Sequence, residues 1–213
     1  MLSLNKIHLN LTNMSGKLDC TKNYVLEDDR VLLRPLQEED YEFLLPFSLN
    51  EPGLWQYSLV SPAGADGLKN YMNITLKARI ECKEYPFIVF DKKTKEYAGS
   101  TRFYDINNEF QVVQLGYTWY GKKFQGTALN KHCKFLLLRF AFEEMNMIRF
   151  ELRADANNSR SIAAMKSIGC KVDGILRSNM PTRFGDARRD SIVLSILREE
   201  WFGDVKQKLE QKL

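Results

Sequence analysis

Two stretches of this chain carry residues whose types and spacing suit the binding of phosphate. The first is Lys122-Lys123-Phe124-Gln125-Gly126-Thr127-Ala128-Leu129-Asn130, a glycine-bearing turn that runs straight into an amphipathic repeat. A small-residue turn at the start of a helix aims several backbone N–H groups, and the positive end of the helix dipole, at one point. The second is Asp155-Ala156-Asn157-Asn158-Ser159-Arg160-Ser161, which opens another helical pattern. Its Asn and Ser could add polar contacts along an extended ligand, and both are also good helix caps. Together the two stretches point to a long phosphorylated cofactor laid against a sheet. Lys122, Lys123, Lys131 and Lys134 could add charge near the phosphates; a solvated face is their bland alternative.

The elements that must position these stretches are legible from periodicity. Val31-Leu-Leu-Arg-Pro-Leu36 suits a first strand, with Pro35 at its end or on an edge. Glu38 to Asp40 charge the first turn of a helix carrying Tyr41, Phe43, Leu44 and Leu45. Leu68, Tyr71, Met72, Thr75, Leu76 and Ile80 place an amphipathic helix over 66–82. Strands are expected over 86–91, 97–104 and 110–120, the last rich in β-branched and aromatic residues. Leu129, Cys133, Leu136, Leu137, Phe140, Ala141 and Met145 recur with a period near 3.6. Residues 148–154 alternate Ile, Phe, Leu, Ala against Arg149, Glu151 and Arg153, so they form a strand. A helix over 159–168 ends at Gly169, where a C-cap glycine belongs. Residues 172–176 and 190–197 form a closing hairpin, and 198–213 a polar helix anchored by Trp201, Val205 and Leu209. The order calls for an α+β protein, a three-layer sandwich with helices on both faces of one mixed sheet. The strand after a crossover helix runs parallel to the one before it. Residues 1–24 read as an N-terminal extension and 25–213 as a single domain.

Composition excludes more than it selects. The 213 residues are 44% hydrophobic and 27% charged, ordinary for a globular chain. The net charge of +4 comes from 31 basic and 27 acidic residues that are interleaved, which argues against nucleic-acid binding. The apolar runs are too short to span a membrane, and the first residues lack a signal-peptide pattern. Cys20, Cys82, Cys133 and Cys170 show no paired spacing and read as free buried thiols of a reducing cytoplasmic compartment. His8 and His132 are the only histidines, and no His, Cys and carboxylate group has metal-ligand spacing, so no metal is expected.

Five pieces, in order and correctly spaced, resemble the GNAT superfamily of N-acetyltransferases, and within it the ribosomal-protein alanine N-acetyltransferase (Rim-type) branch. They are Leu115-Gly-Tyr-Thr-Trp-Tyr120, Phe124-Gln-Gly-Thr-Ala-Leu-Asn130, Asp155 to Ser161 with Ile168-Gly169, Asp173-Gly-Ile-Leu-Arg177, and Arg188-Arg-Asp-Ser-Ile-Val-Leu-Ser195 before Trp201. The resemblance implies a mixed, mostly antiparallel sheet whose central strands splay apart around acetyl-CoA. It implies that amides from Gln125 through Gly126, Thr127, Ala128 and Leu129 to Asn130 hold the pyrophosphate, with Lys123 nearby. Backbone of Tyr117, Thr118 and Trp119 would hold the thioester, and Asn158 and Ser161 the pantetheine arm. The family's pyrophosphate pattern usually has Gly where this chain has Ala128, which is tolerable if that residue has negative φ. A register starting at Lys123 would put Gly126 and Ala128 on the pattern and lose the Gln.

Acetyl transfer to an amine needs loss of an amine proton, donors for the oxyanion, and often an acid for the thiolate. Strand backbone near Thr118 and Trp119 is the expected oxyanion donor. Gln114 and Met180 stand where relatives carry a glutamate base, and Met165 where they carry a tyrosine acid. Ser161, which matches a serine proposed as acid in the Rim-type branch, is the one catalytic candidate. Trp55, Tyr57, Phe103, Tyr104, Tyr117 and Trp119 could line an acceptor pocket, with core packing as the alternative. Arg177 and Arg183 suit an acidic acceptor or a surface salt bridge, and Cys133 reads as core. The expected activity is an acetyl-CoA-dependent N-acetyltransferase acting on a protein N-terminal or small-molecule amine by direct attack in a ternary complex. A weakly catalytic acyl-CoA-binding module is the alternative, and a homodimer is compatible with the branch.

Overall fold

The computed structural model describes residues 16–182 and 187–213. Eight strands form one sheet: β1 (Leu26–Glu27), β2 (Val31–Pro35), β3 (Glu84–Asp91), β4 (Glu96–Asn107), β5 (Val112–Tyr120), β6 (Arg149–Asp155), β7 (Lys171–Pro181) and β8 (Arg188–Leu197). Their spatial order is β1-β2-β3-β4-β5-β6-β8-β7. β5 and β6 are parallel, as their helical crossover requires, and every other neighbouring pair is antiparallel. The helices are α1 (Tyr41–Asn50), α2 (Gly64–Ile80), α3 (Leu129–Arg139) and α4 (Ser159–Ser167). Residues 198–210 are helical but not one helix: a π-turn over Trp201–Val205 divides them while seating Trp201, Val205 and Leu209 in the core.

Strand alternation builds the core in two parts. Phe87, Phe103, Phe150 and Leu194 point to the face covered by α3, α4 and the C-terminal segment, where Leu136, Phe140 and Trp201 pack on them. Ile88 and Trp119 point to the other face, against Leu44, Trp55, Leu68, Tyr71 and Met72 of α1, α2 and their connection. Each such side chain, fully buried, contributes about 1.5–3 kcal/mol. The result is the expected α+β sandwich.

The sheet opens where the two parallel strands part. Val112 to Leu115 pair with Arg149 to Leu152 and the pairing stops there. Beyond it, Gly116, Trp119 and Tyr120 stay bonded to β4, and Arg153 to Asp155 stay bonded to β8. A register shift between Ser100 and Arg102 on β4 faces this segment. Opposite it Tyr117 takes φ 51°, rare for a bulky residue.

The cysteine expectation needs correction. Cys20 and Cys82 form a disulfide with Cα atoms 5.4 Å apart, leaving Cys133 and Cys170 as free, buried thiols. The partners are 62 residues apart, so local spacing carries no sign of the bond. The disulfide also withdraws one of the two grounds for a reducing compartment. Leu18 and Cys20 are buried in the main core, and the Tyr24 amide donates to the Tyr85 hydroxyl at 2.9 Å. The chain is thus seated on the domain before residue 24; residues 1–15 lie outside the description. No helix among the described residues is long and apolar enough to cross a membrane.

Candidate active site

The turn between β5 and α3 has the form a diphosphate needs. Phe124 is buried and anchors a short 3-10 turn over Lys122–Phe124. Gln125 spends its side chain on position: its amide nitrogen donates to the Tyr120 carbonyl at 2.8 Å, and its Oε1 accepts from Arg160 at 2.5 Å. Gly126 has φ +74°, a left-handed conformation that favours glycine, and open space where a Cβ would stand. Thr127 Oγ1 donates to the Phe124 carbonyl at 2.7 Å and accepts from the Leu129 amide at 3.3 Å. Ala128 has φ −65° and ψ −18°, so alanine fits there without strain. Among the described residues the amides of Gly126, Thr127, Ala128 and Asn130 have no protein acceptor. These four free N–H groups lie at the N-terminus of an 11-residue helix, a place that favours an anion.

The second stretch lies beside the first. The Arg160–Gln125 bond ties the opening of α4 to the turn. Asn158 is the N-cap of α4, its Oδ1 accepting the Ser161 amide at 3.1 Å. Its amide nitrogen is left for another partner. Ser161 is half-buried, and its hydroxyl carries no protein hydrogen bond among the described residues. The lysines divide. Lys123 pairs with Glu96 at 2.6 Å, both about half exposed. Lys134 is buried and turned to the sheet, not to the phosphates, so that expectation fails.

At the splay, Tyr117, Thr118 and Trp119 line the free edge of β5. The Arg102 guanidinium stacks 3.5 Å from the centroid of the Tyr117 ring. Arg102 is itself buried, ion-paired to Glu84 at 3.0 Å and hydrogen-bonded to Thr75. Thr118 Oγ1 lies 2.6 Å from Thr101 Oγ1 and accepts from Lys134 Nζ at 3.1 Å. The six candidate aromatics separate. Trp55 and Trp119 pack edge to face at 5.2 Å, and Tyr104 and Tyr117 pair at 5.3 Å. Phe103 belongs to the main core on the α3 face, and Tyr57 is exposed. Arg177 is exposed on β7, and Arg183 lies outside the described residues.

Gln114 is buried with its carbonyl oxygen unpartnered, and sits opposite Glu151 across the parallel strands. Glu151 is also buried, clamped by Arg149 at 2.9 Å and Arg153 at 2.7 Å. Glu84, paired with Arg102, has its pKa raised by burial against the opposing pull of that guanidinium. The sequence reading missed Glu84, Arg102 and the burial of Lys134. Glu151 had a signal in the Arg149–Glu151–Arg153 alternation. Met165 is core and Met180 pairs with Arg189, so neither supplies a proton. Burial pushes the Cys133 thiol up to about 12, consistent with core and not with a nucleophile. Asp28, Asp29 and His132 gather within 4.8 Å of one another, a grouping that spacing could not show across 104 residues. Asp28 accepts from the amides of Arg30 and Val31 and meets His132 Nδ1 at 2.8 Å, which ties the β1–β2 turn to α3.

Residues 30–171 match the family model of the acetyltransferase (GNAT) domain. The chain is 24% identical over 183 residues to the uncharacterized N-acetyltransferase p20 of Bacillus licheniformis, covering 84% of this chain and 98% of that one. A GCN5-related N-acetyltransferase from Brucella melitensis superposes with TM-score 0.81 at 22% identity, covering 89% of this chain and 85% of that one. Mycobacterium smegmatis RimJ, in complex with CoA-disulfide, superposes with TM-score 0.73 at 16% identity, covering 89% and 93%. With the splayed sheet and the open turn already established, the match over two-thirds of the sequence places this chain in the GNAT family of acetyltransferases.

Proposed function

We propose that this GNAT domain moves the acetyl group of acetyl-CoA to a primary amine, a protein N-terminal α-amine or a small-molecule amine, by direct attack in a ternary complex. The observation that carries the reading is the set of unclaimed amides at Gly126, Thr127, Ala128 and Asn130, which fits the diphosphate of the co-substrate. In this reading Lys123 adds charge at the rim, Gln125 and Leu129 frame the turn, and Asn158 and Ser161 hold the pantetheine arm. The thioester lies along Tyr117, Thr118 and Trp119, whose backbone stabilises the oxyanion. The acceptor reaches the thioester past the Tyr104–Tyr117 pair, with residues 46–78 as one wall of its pocket. Ser161, with its uncommitted hydroxyl, is the catalytic candidate on α4. A homodimer belongs to the same reading: β7 is an open sheet edge with exposed Val172, Ile175 and Leu176, and light scattering reads its mass.

The test has two steps. Acetyl-CoA raises the melting temperature, and free CoA is then released in the presence of an amine from a panel of N-terminal peptides and small amines. Stabilisation without release on any amine leaves an acyl-CoA-binding module. No stabilisation overturns both readings.

A further inference from the structure

Lys134 occupies a place where a charged side chain is costly. It lies on α3 between Cys133 and Phe135, is 5% exposed, and has no carboxylate beside it among the described residues. Its one hydrogen bond runs to Thr118 Oγ1 at 3.1 Å, on the half of β5 that β6 has left. An ammonium has three N–H donors, so two remain uncommitted beside the splay. The titratable groups facing it are the thiols of Cys133 on α3 and Cys170 at the foot of β7. Burial pushes both thiols up to about 12, so neither supplies an anion. An unpaired buried ammonium costs several kcal/mol and is a feature of sites that use it.

We propose that Lys134 is the acid that protonates the departing sulfur of coenzyme A. The inference rests on the reading that the thioester lies along Thr118 and Trp119. The amine nitrogen bonds to the thioester carbon, whose carbonyl becomes an oxyanion. As the carbonyl re-forms, the C–S bond breaks and its electron pair goes to sulfur. Lys134 Nζ gives sulfur a proton and becomes neutral. The proton shed by the amine nitrogen leaves to solvent, and Lys134 takes one back, so the sum is amine plus acetyl-CoA to amide plus CoA thiol. Burial lowers the Lys134 pKa to about 8, which suits an acid that must give up its proton near neutrality. Ser161, half-buried on α4, then serves as a hydrogen-bond donor at the site and not as the proton source.

The test titrates the thiol of bound CoA by its thiolate ultraviolet absorbance, in wild type, K134M and K134R. The fixed guanidinium of K134R beside the sulfur depresses the thiol pKa, whereas K134M, with no cation there, leaves it higher. In turnover, both variants lose about a hundredfold in kcat, with KM for acetyl-CoA held within about twofold. K134R loses as much as K134M because guanidinium does not deprotonate. Melting curves verify that the variants fold. Bound CoA that titrates in K134R as in K134M overturns the assignment of Lys134 alone, as does unchanged kcat in both variants. Absence of CoA binding to wild type overturns the acetyl-transfer reading with it.

Discussion

Asn158 offers different atoms of one amide to two tasks. Its Oδ1 caps α4 through the Ser161 amide, and its Nδ2, without a protein partner among the described residues, is proposed to meet the pantetheine arm. Asn158→Ala should cost about 1 kcal/mol in urea unfolding and weaken acetyl-CoA binding. Asn158→Asp keeps the acceptor, so stability holds while calorimetric affinity falls; equal affinity in the Asp variant would confine the residue to capping. Lys134 makes a pH prediction of its own. Its pKa is depressed in the folded chain from 10.5 to about 8. Across that window the unfolded chain binds a proton that the folded chain does not, so stability contributed by this residue rises with pH. Wild type should gain about 3 kcal/mol relative to K134M between those two values, read as the difference between two urea-unfolding series. The raised thiols of Cys133 and Cys170 act in the opposite direction above about pH 9, but they are common to both proteins and cancel. Glycine, amide and hydroxyl residues at the turn were legible because their chemistry is local. Lys134 was not, because a lysine on an amphipathic helix gives no sequence sign of which neighbour it meets.

At the scale of elements, the turn into α3 sets helix stability against anion binding. Ala128 is an N-cap residue without a side-chain cap. Ala128→Asp supplies the acceptor that the free amides lack and should stabilise the fold by about 1 kcal/mol. The same carboxylate repels a diphosphate, so acetyl-CoA affinity should fall as melting temperature rises. A variant that gains both would place the phosphates elsewhere. The helices and strands around this turn were readable from period and from start and stop signals, with ends displaced by a few residues. The parting of β5 from β6 was not, since it depends on register. Only the pairing to Leu115 and Leu152, and the left-handed Tyr117 beside a shift in β4, show where the sheet opens.

For the whole molecule, the Cys20–Cys82 bond fastens the N-terminal segment across the end of α2. Closing a loop of 62 residues removes enough unfolded-state entropy to stabilise the fold by about 4 kcal/mol. Cys82→Ser should lower the melting temperature by an amount that a reductant reproduces in wild type. A reductant should leave the variant unchanged; an equal response in both would mean the bond does not form. The two-faced core lets the proposed cofactor turn and the proposed acceptor face be built from different segments. α3 and α4 cover one side of the sheet and α1 and α2 the other, and the splay connects them.

By itself the sequence determined the alternation of elements, the α+β class, the glycine turn before α3 and the polar opening of α4. These follow from side-chain period and backbone preference over a few residues. Tertiary structure alone decided that Cys20 meets Cys82, that Glu84 and Arg102 pair beneath Tyr117, and that Lys134 is buried against Thr118. Each of these joins residues far apart in the chain, and their environment is set by how whole helices pack on the sheet.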